Sequence, residues 1–151
     1  MEIVYSNGES ADFIALCKLL DLNLDEIVGG SIQREKYNQY NRLNEIKDVV
    51  LIYIDKVPAA CGSFRRYEDY IAEIKRIFVR KEFRGQGLSK IIIKELERKA
   101  VKAGYEKLYL ETGELLVASM HLYKSIGFQI IDNYGPYTNM KESICMEKVI
   151  A

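Results

Sequence analysis

The chain has 151 residues, 48% hydrophobic and 29% charged, with twenty-two basic residues balanced by twenty-two acidic ones. That length fits a single domain over residues 1–151, which can bury roughly 68–70% of its unfolded surface without a metal or disulfide staple. Zero net charge argues against a dedicated nucleic-acid binder, and three widely spaced cysteines (Cys17, Cys61, Cys145) without CxxC or CxxH spacing argue against a zinc site and read as buried free thiols. The start, MEIVYSNGESADFIALC, lacks a basic segment followed by a long apolar run, and no stretch approaches the ~18 apolar residues of a membrane span. A cytoplasmic protein that engages neither membrane nor nucleic acid is the expectation.

In chain order, EIVYS reads as a first strand and Ser10 as the cap of a helix with Ala11, Ile14, Ala15, Lys18/Leu19 and Leu22 at helical spacing on its apolar face. Gly29 and Gly30 end that region, and the polar stretch SIQREKYNQYNRLNEI predicts a second short helix and a loop. DVVLIYI and VPAACGSFRRYE, joined by Asp55-Lys56, predict a β-hairpin, with Pro58 near a strand start where a missing N–H does least harm. IAEIKRIFV predicts another strand. The helix after RGQGLS puts Leu88, Ile91, Ile92, Leu96, Ala100 and Ala103 on one stripe and stops at Gly104. YEKLYLE predicts a strand, LLVASMHLYKSI a helix of about three turns, and GFQIID and SICMEKVI two closing strands around the aromatic loop NYGPYTNM. The order βααβββαβαββ describes an α/β domain: one mixed, mostly antiparallel sheet of about seven strands flanked by helices.

RGQGLSK (84–90) places two glycines where a strand becomes a helix. A helix start carries unpaired N–H groups and about half a positive charge, and glycine lets a bound oxygen approach the backbone. Arg80, Lys81, Arg84 and Lys90 add positive charge, with Glu82 opposing them. The construction suits a pyrophosphate. It matches neither GxxxxGK[ST] nor GxGxxG, whose third glycine is replaced by Lys90. A tight turn with surface cations is the structural alternative.

The run RGQGLS resembles the acyl-CoA-binding signature (Gln/Arg)-x-x-Gly-x-(Gly/Ala) of the GNAT superfamily of N-acetyltransferases. Arg84 and Gly87 match, and Ser89 replaces the final Gly or Ala. About forty residues on, HLYKSIGF resembles the same superfamily's Leu-Tyr-x-x-x-Gly-Phe signature. The resemblance covers essentially the whole chain and implies the acyl-CoA N-acyltransferase fold. It implies acetyl-CoA as acyl donor, with the pyrophosphate on the amides of Arg84, Gly85, Gln86, Gly87, Leu88 and Ser89, beside Lys90. The pantetheine arm would pair with the strand edge at Ile77, Phe78 and Val79, its two amides bonding exposed backbone groups. No metal is implied.

Acetyl transfer to an amine requires a base, because an alkyl ammonium with a pKa near 10 cannot attack a thioester. It gains from an acid at the leaving thiolate and from a backbone N–H at the tetrahedral oxyanion; no covalent enzyme intermediate is required. The resemblance makes Tyr123 the acid, against a structural reading as a core aromatic beside Leu122, Ile126 and Phe128. It makes Glu73 the base, on a strand face shared with Lys75 and Ile77 if pairing is regular, against a surface glutamate paired with Lys75 or Arg66. Glu111, at a strand C-terminus, ranks below Glu73 and either binds a substrate ammonium or caps the next helix. His121 reads as a solvent-side residue and Cys145 as core.

The resemblance implies an acceptor pocket built by residues 21–27 and by Tyr134, Tyr137 and Asn139 of the last loop. Aromatic, amide and carboxylate groups suit a primary amine of a small molecule or peptide. The enzyme is expected as a monomer or homodimer. The rival reading is a catalytically silent acyl-CoA-binding sensor or assembly module.

Overall fold

Seven segments of alternating or β-branched character form strands: β1 (Glu2–Ser6), β2 (Asp48–Ile54), β3 (Val57–Glu68), β4 (Ile71–Val79), β5 (Lys107–Gly113), β6 (Gln129–Ile131) and β7 (Ser143–Val149). The computed structural model describes residues 1–28 and 43–151 and joins the strands in one mixed sheet of order β1-β2-β3-β4-β5-β7-β6. Every neighbouring pair is antiparallel except β4 and β5, which run parallel. Asp55 and Lys56, at φ +49° and +66°, make the double left-handed turn that matches the twist of the β2–β3 hairpin. No helix of the described residues is long and apolar enough to cross a membrane.

Three helices of the described residues cover the two faces. Helix α1 (Ala11–Val28) lies against β3 and β4 on one face; α2 (Leu88–Lys102) and α3 (Val117–Ser125) cover the other. Ser10 caps α1 as expected, its Oγ accepting from the Phe13 amide at 3.2 Å. The buried stripe, however, is Phe13, Leu16, Cys17 and Leu20, while Ala11 and Ala15 are exposed and Leu22 is 61% exposed. Both stripes have helical spacing. The one with an aromatic and two leucines removes more apolar area from water, so it faces the sheet.

In α2 the buried residues are Leu88, Ile92, Ile93, Leu96 and Ala100; Ile91 is half-buried and Ala103 is the exposed C-cap. Gly104, at φ +96°, ends the helix. The expected second helix falls on residues that lie outside the described ones; the first described residues after them, Leu43–Glu45, form a 3₁₀ turn. All three cysteines are buried and free.

Two irregularities set up the site. First, β4 and β5 pair only from Ile71, Ala72 and Glu73 to Lys107, Leu108 and Tyr109, and beyond that the sheet splits. Second, β4 bulges against β3: Ser63 pairs Lys75, but Cys61 pairs Phe78, and Arg76 between them has φ +60°. The extra residue reverses which side chains face which way. Glu73 and Lys75 point to the α1 face, whereas Ile77 points to the α2 face. A Cβ on Gly62 would stand 2.6 Å from Ile77 Cδ1 and 2.3 Å from Ile92 Cγ2, so this glycine lets α2 sit close to the sheet. The expectation that Glu73, Lys75 and Ile77 share a face therefore fails at Ile77, because the pairing is not regular.

Candidate active site

The split opens a cleft of about 680 Å³. Residues 74–79 of β4 form one wall and 110–113 of β5 the other, with the start of α2 at one end and α1 and α3 at the sides. Where the strands part, the facing backbone edges no longer pair with each other.

At the α2 end, Gly85 and Gly87 have φ +83° and +76°, a conformation that costs any other L-residue roughly 1–2 kcal/mol. A Cβ at either would meet nothing within 4 Å. The glycines are therefore not demanded by internal packing. Gly87 is the N-cap of α2 and no side chain caps the helix. The Ile91 amide closes the first turn onto the Gly87 carbonyl at 3.3 Å, which leaves the amides of residues 88–90 directed past the helix end. Arg84 and Lys90 line the cleft there. Arg84 is steadied by its Nε–H donating to the Val79 carbonyl at 3.1 Å and by the Phe78 ring, 5.8 Å from the guanidinium carbon. Arg80 donates to the Pro58 carbonyl at 2.7 Å and Lys81 is exposed; neither lines the cleft. Of the ten donor-site residues expected from sequence, nine line it; the exception is Gln86, whose side chain is exposed.

Midway along, Tyr123 belongs both to the apolar core and to the cleft wall: it packs edge-on against Phe128 at 5.9 Å and is 8% exposed. Burial, helped by the negative charge of Glu111, pushes its hydroxyl up to about 12, so it keeps its proton at neutral pH. Glu111 lines the cleft as well. His121, two residues before Tyr123, is exposed, as expected.

On the α1 face a polar cluster is buried beside the cleft. Glu73 is 1% exposed and both its oxygens are engaged: Oε1 with Arg65 Nε at 3.2 Å and Lys75 Nζ at 3.6 Å, Oε2 accepting from the Tyr134 hydroxyl at 2.6 Å. Lys75 Nζ also donates to the Tyr137 hydroxyl at 2.6 Å. Burial and the Glu73 charge hold both tyrosine hydroxyls far above their ordinary range. Burial lowers the Lys75 ammonium, with Glu73 opposing that shift. Tyr67, Tyr109 and Tyr134 stack beneath this cluster at 4.8–5.6 Å between ring centroids.

Three expectations are thereby revised. Glu73, Tyr134 and Tyr137 do not line the cleft; they form the packing behind it. Lys75, a residue that the period-two pattern set on the Glu73 face without giving it a role, belongs to the stretch of β4 that lines the cleft. From α1, Asn23, Leu24 and Ile27 line the cleft within the expected segment 21–27.

The model of the acetyltransferase (GNAT) family matches residues 15–128. An uncharacterised N-acetyltransferase of Bacillus subtilis, YsnE, is 30% identical over 92 residues, 60% of this chain and 61% of that protein. For relatives in Schizosaccharomyces pombe and Dictyostelium discoideum the match spans 38% and 30% of their length. Among solved structures, a Klebsiella pneumoniae protein assigned as an acyl-CoA N-acyltransferase superposes with a TM-score of 0.82 at 26% identity, covering 99% of this chain and 97% of that one. The PaiA N-acetyltransferase of Thermoplasma acidophilum, solved with coenzyme A, superposes with a TM-score of 0.73 at 20% identity, covering 99% of both chains.

Proposed function

The chain belongs to the acetyltransferase (GNAT) family, and from that premise we propose that residues 1–151 act as one domain transferring an acetyl group from acetyl-CoA to a primary amine of a small molecule or peptide. The observation that carries this reading is the cleft at the β4–β5 split, which joins an uncapped, glycine-lined helix start to a buried, protonated tyrosine. The amides of residues 84–89 hold the pyrophosphate, with Arg84 and Lys90 beside it. The pantetheine amides bond the β4 edge at Ile77, Phe78 and Val79. Coenzyme A in the Thermoplasma neighbour supports this donor.

Glu111 serves as the base, since it lines the cleft while Glu73 is enclosed by Arg65, Lys75 and Tyr134. Glu111 takes one proton from the acceptor ammonium. The freed nitrogen forms the C–N bond, a backbone N–H steadies the oxyanion, and the C–S bond then breaks. Tyr123 donates its hydrogen bond and proton to the departing sulfur and is reprotonated from the nitrogen, which sheds its second proton as the amide forms. One proton leaves to solvent per turnover. Glu73 is a positioning residue that holds Lys75 and Tyr134.

Thiol release from acetyl-CoA across a panel of amines tests the reading. Release matched one-to-one by N-acetylated product is the expected result. Tight acetyl-CoA binding without release on any amine would instead identify a silent acyl-CoA-binding module.

A further inference from the structure

The apolar stripe of α1 runs on past the part that the sheet covers. Phe13, Leu16, Cys17 and Leu20 are buried, and Leu24 and Ile27 continue their spacing toward the C-terminal end of the helix. Leu20, Asn23, Leu24 and Ile27 all line the cleft, at the i, i+3, i+4 and i+7 positions of one helix face, and three of the four are apolar. Exposure rises along that face: Leu20 is buried, Leu24 half-buried and Ile27 42% exposed. These residues border the opening between β4 and β5 rather than paired strands.

The α3 side repeats the character. Leu115 and Leu116, which follow β5, and Val117, which opens α3, line the cleft as well, and Leu115 and Val117 are exposed. Three of the exposed large apolar side chains among the described residues, Ile27, Leu115 and Val117, thus border one cavity. Scattered singly they would need no explanation; gathered around a cavity they mark a ligand-binding groove. The cations of the β4 wall have partners within the protein, Lys75 with Tyr137 and Glu73, and Arg76 with Asp21. What the α1 side of the cleft leaves to be covered is apolar surface.

We propose that the acceptor is a small primary amine with an apolar body, an alkyl chain or a hydrocarbon ring, seated against Leu20, Leu24 and Ile27 with its nitrogen toward Tyr123. The inference rests on the acetyltransferase reading and narrows it. The start of α2 and Tyr123 of α3, proposed for the donor, lie on the other face of the sheet, so the α1 side is left to the acceptor. The cleft of about 680 Å³ takes the pantetheine end of the donor as well, which suits a small body. Each methylene moved from water onto this face strengthens binding by up to about fourfold. A polyamine would lay a second ammonium on the same leucines, and an amino sugar its hydroxyls; both would give up water there without replacing its hydrogen bonds.

The test is equilibrium binding, independent of turnover. Ethylamine, butylamine and hexylamine are titrated by calorimetry into the full chain saturated with coenzyme A, beside the ω-hydroxyl analogue of hexylamine. Affinity is expected to rise about two- to fourfold per methylene, and the hydroxyl analogue should bind about tenfold more weakly than hexylamine. Ile27→Ser, on the exposed last turn of α1, should weaken hexylamine about fivefold and leave ethylamine within about twofold. Leu24→Ser should act in the same sense and more strongly. A flat series on wild-type protein overturns the proposal, even if no variant folds. So does a full chain-length gain that survives in both folded variants. Hexanoyl-CoA that binds more tightly than acetyl-CoA while the alkylamines stay flat would give the apolar face to the donor instead. Thiol release separates the two readings. A graded alkylamine series with no amine acetylated would sink the transferase and leave the apolar site; equal acetylation of ethylamine, hexylamine and the hydroxyl analogue, with no graded binding, would do the reverse.

Discussion

The two ends of the cleft are built from different groups. At the α2 end the groups presented are backbone amides, opened by two left-handed glycines within four residues and by a helix start without a side-chain cap. At the α1-face end the groups are side chains, and they come from β3, β4, β5 and the segment before β7. A backbone site tolerates changes in most of its side chains and fails when a Cβ alters its φ. A side-chain site fails when any one partner is lost, since a buried charge is then left exposed to its neighbours.

The largest effect that would break this contrast is expected at Glu111. Glu111→Gln should lower kcat/KM by about 10³-fold, within the usual range for general-base loss, with acetyl-CoA affinity little changed. Raising the pH toward the ammonium pKa of the acceptor should restore part of the rate, because the amine then arrives deprotonated. Steady-state kinetics against pH reads both.

Next is Glu73. Glu73→Gln strands Arg65 and Lys75 beside a neutral amide and should cost about 3 kcal/mol of stability, measured by urea unfolding. An unchanged unfolding midpoint together with a shifted pH–rate profile would return Glu73 to the role of base and dissolve the distinction between cleft and cluster.

Tyr123→Phe should lower kcat by about 10²-fold while leaving acetyl-CoA binding intact, since the apolar half of the residue is kept. The hydroxyl is pushed up to about 12, above the ~10 of an unfolded tyrosine. Its contribution to stability is therefore fully present below pH ~10 and is lost as the pH rises through about 12, at about 1.4 kcal/mol per pH unit. Wild-type protein should lose stability more steeply than Tyr123→Phe in that window, which equilibrium unfolding at pH 9 to 12 resolves.

The smallest effect sharpens the contrast at the other end. Gly87→Ala meets no clash, so its cost is conformational, about 1–2 kcal/mol at φ +76°. Partial relaxation of the turn should raise the KM for acetyl-CoA about tenfold and leave the KM for the amine within twofold. An equal rise in both would mean that the glycine serves the fold and not the donor.

The proposed donor end was legible because its chemistry is local. RGQGLSK holds the glycines, the helix start and two useful cations in seven consecutive residues, and HLYKSIGF carries Tyr123. The acceptor end was not. Tyr134 reaches Glu73 across 61 residues of chain, and Tyr137 reaches Lys75 across 62. Nothing in IAEIKRIFV marks Arg76 as a bulge, because a non-glycine residue at φ +60° leaves no signature in the residue types. The face of α1 was misjudged for a related reason. Two stripes had helical spacing, and choosing between them required knowing which volumes the sheet offered.

By itself the sequence determined the order of the strands and of the described helices, the two-glycine turn at a helix start and the place of Tyr123, all of which follow from residues close together in the chain. Only the tertiary structure decided which carboxylate lines the cleft and which is enclosed behind it. The reason is geometric. Parting two strands and inserting one extra residue in β4 change which side chains meet, and those events are set by pairing and packing between distant segments.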